Sequence, residues 1–264
     1  MVMPNFLIIG AAKAGTTSLY EYLKQHPQIW MSPIKETNFF ALEGETLGFR
    51  GPGDQNYINK FSITKIESYL KLFQGVENQT AIGEASPLYL YSPKAPNCIR
   101  YYTPDTKLIV ILRNPIERAY SHFLMFVRDG REPISDFTAA LEQEENRRQD
   151  YWEWAWQYVS VGFYYVQLQR YFDTFDRSQI SIYLFEDFNI NPVNVLQNIF
   201  QFLGVNSSFI PNMSVRHNVS IAKYQNPPEL LLELEVRKRL IEVYREDILK
   251  LQYLIQRELP NWLE

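Results

Sequence analysis

The stretch "NFLIIGAAKAGTTSLYEYL", residues 5–23, decides the fold. The apolar run from Phe6 to Ile9 reads as a buried strand, and Leu19 and Leu23, four apart, give the following segment one apolar helical face. Between them lies a glycine-flanked loop. The Walker A pattern asks for a glycine, four residues, a second glycine, then lysine and Ser or Thr. Gly10 and Gly15 keep that spacing, but Thr16 stands in the lysine's place and the loop's lysine is Lys13.

A strand, such a loop and a helix start together make an anion site. Backbone N–H groups converge there, and the helix dipole adds about half a positive charge. Lys13, Ala14 and Gly15 supply the loop, while Thr16, Thr17 and Ser18 bring hydroxyls to the same group.

Working outward, residues 80–83 and the "TKLIVILRNP" and "QISIYLFED" segments read as further buried strands. Helical patterns run over 16–24, 63–73, 115–127, 135–147, 162–175 and 193–203, with a terminal helix, broken at most once, within 228–259. Pro115 suits a first helical turn and Gly204 a helix stop. Strands alternating with helices predict an α/β fold of three layers, a central parallel sheet with helices on both faces. Without a linker, repeat or low-complexity tract, the expectation is a single domain over 1–264.

A net charge of −4 argues against a nucleic-acid partner and against a broad polyanion-binding surface. Cys98 is the lone cysteine, which rules out an internal disulfide and fits a reducing, cytoplasmic setting. No apolar run approaches the ~20 residues of a membrane span. The start lacks the basic region of a signal peptide.

A kinase or ATPase places its magnesium-binding acid at the end of a neighbouring strand. "LIVIL" ends instead in Arg113, whereas Glu186-Asp187 after "ISIYL" imitates such a site and sustains a P-loop kinase or ATPase as the alternative. A non-catalytic nucleotide-binding protein is a second alternative.

"GAAKAGTTSLYEYL" resembles the 5′-phosphosulfate loop of sulfotransferases that use 3′-phosphoadenosine 5′-phosphosulfate (PAPS), and "LIVILRNPIERAYSHFLM" resembles their 3′-phosphate segment. "PIKETNFF" is similar to a stretch of the heparan-sulfate and bacterial branches, and "FEDFNINPVNVLQNIFQFLGV" to the family's strand-loop-helix. The resemblance implies a P-loop NTPase-like fold, PAPS as sulfuryl donor, 3′-phosphoadenosine 5′-phosphate (PAP) as product, and no metal. It places Lys13 at the oxygen that gains charge as the donor breaks, and Arg113 and Ser121 on the 3′-phosphate. Physics agrees with both: a cation stabilises a departing oxyanion, and arginine's fork suits two phosphate oxygens. Arg118, on the same helix, reaches the same phosphate or, as the stronger expectation, is a solvated arginine.

The acceptor's proton requires a base. Glu36 matches the catalytic glutamate of the heparan-sulfate branch; Glu84 follows the presumed second strand; His122 sits beside Ser121. The heparan-sulfate branch carries a lysine directly after the glutamate equivalent to Glu84, and this chain has Ala85 there. Lys35 stands in for that cation or points to solvent. Arg216, in a basic loop before the last helix, matches a nucleotide-covering loop of the family or is an ordinary polar residue. The aromatics of "QDYWEWAWQYVSVGFYY" line an acceptor cleft or pack as core and lid, and the charged run before them reads as a solvated helix end. The expected acceptor is a small hydroxylated metabolite, a glycan, a glycolipid or a carrier-bound acyl chain.

Overall fold

A computed structural model describes residues 2–214 and 232–264. The chain divides into two compact units. The first comprises Met1–Thr46, Phe61–Arg113 and Arg170–Asn218; the second comprises Leu47–Lys60, Asn114–Gln169 and Val219–Glu264.

The first unit is built on a five-stranded sheet in the order β2-β3-β1-β4-β5, with β1 at Phe6–Gly10, β2 at Ile29–Met31, β3 at Ala81–Ala85, β4 at Lys107–Leu112 and β5 at Ile180–Leu184. Every pairing is parallel. Phe6 to Ile9 and Leu108 to Leu112 are completely buried, as continuous apolar runs in a covered parallel sheet must be. The Thr16–Leu23 and Leu88–Tyr91 helices pack on β1 and the Pro192–Leu203 helix on β5. Gly204, left-handed at φ 79°, ends that last helix as expected. β2 carries no sequence signal, because three residues are too few to display a period.

In the second unit the Pro115–Arg128 helix starts where the sequence predicts. Asn114 Oδ1 accepts the Ile116 and Glu117 N–H groups at 2.9 and 3.3 Å, and Pro115 needs no such partner. The Leu234–Ile255 helix packs on it, and Glu117 pairs with Arg237. Two expected helices come out in pieces. The one over 63–73 is Ile66–Leu70 followed by a 3-10 turn, and the one over 135–147 divides into Phe137–Glu142 and Glu144–Gln149. At the second break Gln143 adopts φ −90°, ψ −2°, the bridge conformation, while the Glu144 carboxylate turns to accept the Val159 and Ser160 N–H groups.

The charged run is therefore not simply a solvated helix end. Arg147 and Glu132 form a 2.6 Å ion pair with 3% and 0% of their side chains exposed, and Tyr158 donates to the same Glu132 at 2.6 Å. Trp156 and Tyr158 are fully buried, so these two aromatics are core and not cleft walls. Trp156 Nε1 donates to Asp54 Oδ1 at 3.0 Å. Asp54 also accepts from the Gly51 N–H at 2.8 Å, the Glu153 N–H at 3.0 Å and Arg131 Nη2 at 2.7 Å. The Arg131 guanidinium bonds Glu153 Oε1 at 2.8 Å as well and lies 4.3 Å from the Phe126 ring centroid.

Candidate active site

The modified loop leaves the centre of the sheet at the carboxyl end of β1. The pairing of β1 with β4 shifts between Ile8 and Gly10, yet the Ala11 N–H still reaches Ile111 O at 2.7 Å. At Gly10 the backbone passes so close to the Leu88–Tyr91 helix that an added Cβ would lie 2.7 Å from Leu90 Cβ. At the other end Gly15 adopts φ 90°, ψ 10° and caps the Thr16–Leu23 helix without a side-chain bond. A capping Ser or Asp would spend its oxygen on that first turn; glycine brings none, and the first turn holds no acidic residue. Its amide groups and dipole suit an anion, so the residues present fit a phosphosulfate.

Lys13 and Glu36 converge in this unit. After β2 the chain continues beside β3: the Ser32 N–H donates to Gly83 O and the Glu36 N–H to Ala85 O, both at 2.8 Å. Glu36 therefore stands at the sheet's carboxyl edge, where ligands of open α/β sheets bind. Desolvation raises its pKa, but the cations of Lys35 and then Lys13 outweigh that and hold the carboxyl below the usual glutamate value. Ionised at neutral pH, Glu36 has the form a base needs, although the same cations weaken it as one. Lys35 does not point to solvent: its ammonium bonds the Glu36 carboxylate, with 16% of the lysine side chain exposed. Both Lys13, at φ 66°, and Glu36, at φ 63°, are left-handed non-glycine residues, a conformation with a free-energy cost that tends to gather at functional sites.

Arg113, just after β4, donates through Nη1 to Lys13 O at 3.1 Å and lies 4.9 Å over the Phe185 ring. One of its five N–H donors thus holds the loop. Phe185 carries no signal of its own in the sequence, although it opens the matched "FEDF" segment; it forms the platform for this guanidinium and would meet a Cβ added at Gly15 at 3.2 Å.

Glu84 is fully buried on β3, and Ala85 beside it is buried too. Burial pushes its carboxyl up to about 7 against the hydroxyls of Tyr89, Ser86, Thr37 and Tyr69. Enclosed in this way, it does not stand open to an acceptor as a base. Glu186 and Asp187 occupy the first turn of the Phe185–Ile190 helix after β5, and β4 separates that strand from β1. The strand that does adjoin β1 on this side ends in Leu112, followed by Arg113, which is not the arrangement a magnesium-dependent kinase needs. Among the described residues no group of three His, Cys, Asp or Glu side chains is placed to hold a metal ion.

In the second unit, Ser121 is half-buried on the Pro115–Arg128 helix and His122 beside it is 3% exposed. The His122 ring packs 4.9 Å from Phe126 and 5.9 Å from Tyr158. Arg118 is not solvated. It is completely buried, donates through Nη2 to Tyr158 O, and approaches His122 Nδ1 with Nη1 at 3.4 Å. Because a guanidinium only donates, this contact directs a lone pair of Nδ1 toward it and leaves the ring proton to Nε2. Arg216 lies outside the described residues.

Residues 3–234 match the family described as "Sulfotransferase domain". This chain belongs to the sulfotransferase family. Human carbohydrate sulfotransferase 15 is 30% identical over 248 residues, covering 77% of this chain and 44% of that protein. Mouse bifunctional heparan sulfate N-deacetylase/N-sulfotransferase 4 is 26% identical, covering 99% of this chain and 31% of its own length. The chain thus spans less than half the length of these curated relatives. A crystal structure of a sulfotransferase from Alicyclobacillus acidocaldarius superposes with a TM-score of 0.89 at 38% identity, both chains covered completely. The sulfotransferase domain of the curacin pathway, with a TM-score of 0.56 at 16% identity, shares the fold. The P-loop NTPase-like architecture and the kinship with the heparan-sulfate and bacterial branches are thereby established for a family whose members are PAPS-dependent transferases.

Proposed function

We propose that this chain transfers a sulfuryl group from PAPS to an acceptor hydroxyl by in-line displacement. One observation carries the reading: the loop that bears Lys13 after β1 and the segment that bears Glu36, tied to β3 by the Glu36 N–H bond to Ala85 O at 2.8 Å, both stand at the carboxyl edge of the sheet, with the Lys13 charge acting on the Glu36 carboxyl. PAPS, when bound, supplies the transferable sulfuryl group. Ala14, Gly15 and the start of the Thr16–Leu23 helix present amides to its 5′ end, with Thr16, Thr17 and Ser18 adding hydroxyls. Lys13 meets charge on the departing oxygen, and Glu36 takes the acceptor's proton. Arg113 offers its fork to the 3′-phosphate. The parts assigned to Ser121 and Arg216 rest on the motif alone.

A sugar hydroxyl heads the acceptor classes, supported by relatives called carbohydrate and heparan sulfate sulfotransferases. His122 is the second candidate base, and the Arg118 contact on Nδ1 favours Glu36 over it. The test is sulfate transfer from PAPS, followed by mass spectrometry, across sugars, small alcohols, amines, glycolipids and carrier-bound hydroxy acids without added metal. Sulfated product with release of PAP supports the reading. Magnesium-dependent ATP binding with no binding of PAP would overturn it in favour of a kinase.

A further inference from the structure

The Glu84 carboxylate is the floor of a hydrogen-bonded cage whose roof is the backbone carrying Glu36. Ser86 Oγ donates to Glu84 Oε2 at 2.9 Å and the Tyr69 hydroxyl approaches Oε1 at 3.5 Å, with the Tyr89 and Thr37 hydroxyls also turned to this carboxyl. Those hydroxyls meet the turn after Glu36. Ser86 Oγ accepts the Asn38 N–H at 3.1 Å, Thr37 Oγ1 the Phe39 N–H at 3.4 Å, and the Tyr89 hydroxyl the Phe40 N–H at 3.4 Å. Thr37 Oγ1 and the Tyr89 hydroxyl are themselves 3.2 Å apart. Three successive amides therefore end on hydroxyls that surround one carboxylate.

The direction of these bonds follows from that carboxylate. An ionised carboxylate only accepts, whereas a hydroxyl has one hydrogen to give and lone pairs to spare. With its hydrogen drawn inward to Glu84, each hydroxyl presents lone pairs outward to the turn. The turn needs such a hold, because Glu36 at φ 63° and Asn38 at φ 55° are both left-handed without being glycine.

We propose that Glu84 is a positioning residue, which orders the Ser86, Thr37 and Tyr89 hydroxyls so that the 36–38 turn keeps the Glu36 carboxylate beside Lys35 and Lys13. The inference deepens the proposed function and rests on Glu36 being its base.

Glu84→Gln tests it, since the amide has the carboxyl's shape but points donors at hydroxyls that must then turn. Ser86→Ala, which removes the acceptor of the Asn38 amide, is the companion where the first variant folds poorly. Without substrate, carbon-13 NMR of glutamate carboxyls follows the Glu36 titration. Both variants should move its midpoint up toward the ordinary glutamate value as the carboxylate leaves the two lysines. With PAPS and an acceptor, Glu84→Gln should lower kcat about 10- to 100-fold, while PAP affinity changes less than about twofold. In a Glu36→Gln background the same substitution should cost less than about twofold more. Because burial holds Glu84 near 7, the wild-type kcat should rise through that pH, and the rise should vanish in Glu84→Gln. An unmoved Glu36 titration, or an equal loss with and without Glu36, overturns the inference. A wild-type protein that transfers no sulfate defeats the proposed function alone, and the NMR measurement still decides the role of Glu84.

Discussion

Replacing Asp54 by Asn keeps the shape of a buried side chain and reverses half of its hydrogen bonding. Oδ1 accepts from Arg131 Nη2 and Trp156 Nε1, and Oδ2 accepts from the Gly51 and Glu153 amides. In Asp54→Asn one oxygen becomes an NH2 group, so two of the four donors face a donor. Each orphaned buried donor costs about 1–3 kcal/mol, which gives about 2–6 kcal/mol in all. Glu153 offsets part of this. Burial first, and the Asp54 charge second, push its carboxyl up to about 7; removing that charge lets it ionise more readily and hold Arg131. The net expectation is about 3 kcal/mol, or a Tm lower by about 6–12 °C for a chain of this size. Equilibrium urea unfolding with thermal melts at pH 6 and pH 8 measures it. A glutamate whose folded pKa is raised contributes most at low pH and loses that contribution as pH rises through about 7. The cost of Asp54→Asn should accordingly be larger at pH 6 than at pH 8. At pH 6 Glu153→Gln, replacing a group that is mostly protonated there, should cost less than about 1 kcal/mol. A loss below about 1 kcal/mol for Asp54→Asn at pH 6 would refute the reasoning.

Lys13→Ala should reduce turnover by about 100-fold or more while the thermal melt stays within about 2 °C of wild type, because the side chain serves the departing oxygen and not the core. Arg113→Ala should weaken PAP binding by about 2–3 kcal/mol in calorimetry, and unchanged affinity would remove Arg113 from the donor site. Gly15→Ala places a Cβ at φ 90° against the Phe185 ring and should destabilise the chain by about 1–2 kcal/mol in urea, with weaker PAP binding. The Glu36 carboxyl, held below its ordinary value by two lysines, should stay ionised to below pH 4.5 in the same NMR titration.

What was legible in the sequence was the part governed by short-range rules. Apolar runs identified β1, β3, β4 and β5, a proline and a glycine marked helix ends, and the displaced lysine located the loop. Periodicity says nothing about who meets whom at long range. Arg118 reads as a surface residue because an arginine is ordinarily solvated, and only the tertiary fold shows it pressed against Tyr158 and His122. Glu144 and Arg147 misled in the same way, since a charged run takes on a solvated look whether or not its partners, here Glu132 and the amides of Val159 and Ser160, come to bury it. Glu84 reads from the sequence as a carboxylate at a sheet edge, but its neighbours Tyr69 and Thr37 come from other segments, and without them an enclosed carboxyl cannot be told from an open one.

The central strand has a consequence for how the chain is made. Phe6 pairs with Gly83 on one side and with Lys107 on the other, so β1 gains neither neighbour until long after its own synthesis. Local contacts cannot nucleate such a sheet, and loop-closure entropy must be met before its ladders form. β1 therefore stays unpaired until β3 has been made, the Phe6 partner Gly83 lying 77 positions further along, and an apolar strand left open for so long is a segment that a chaperone would shield.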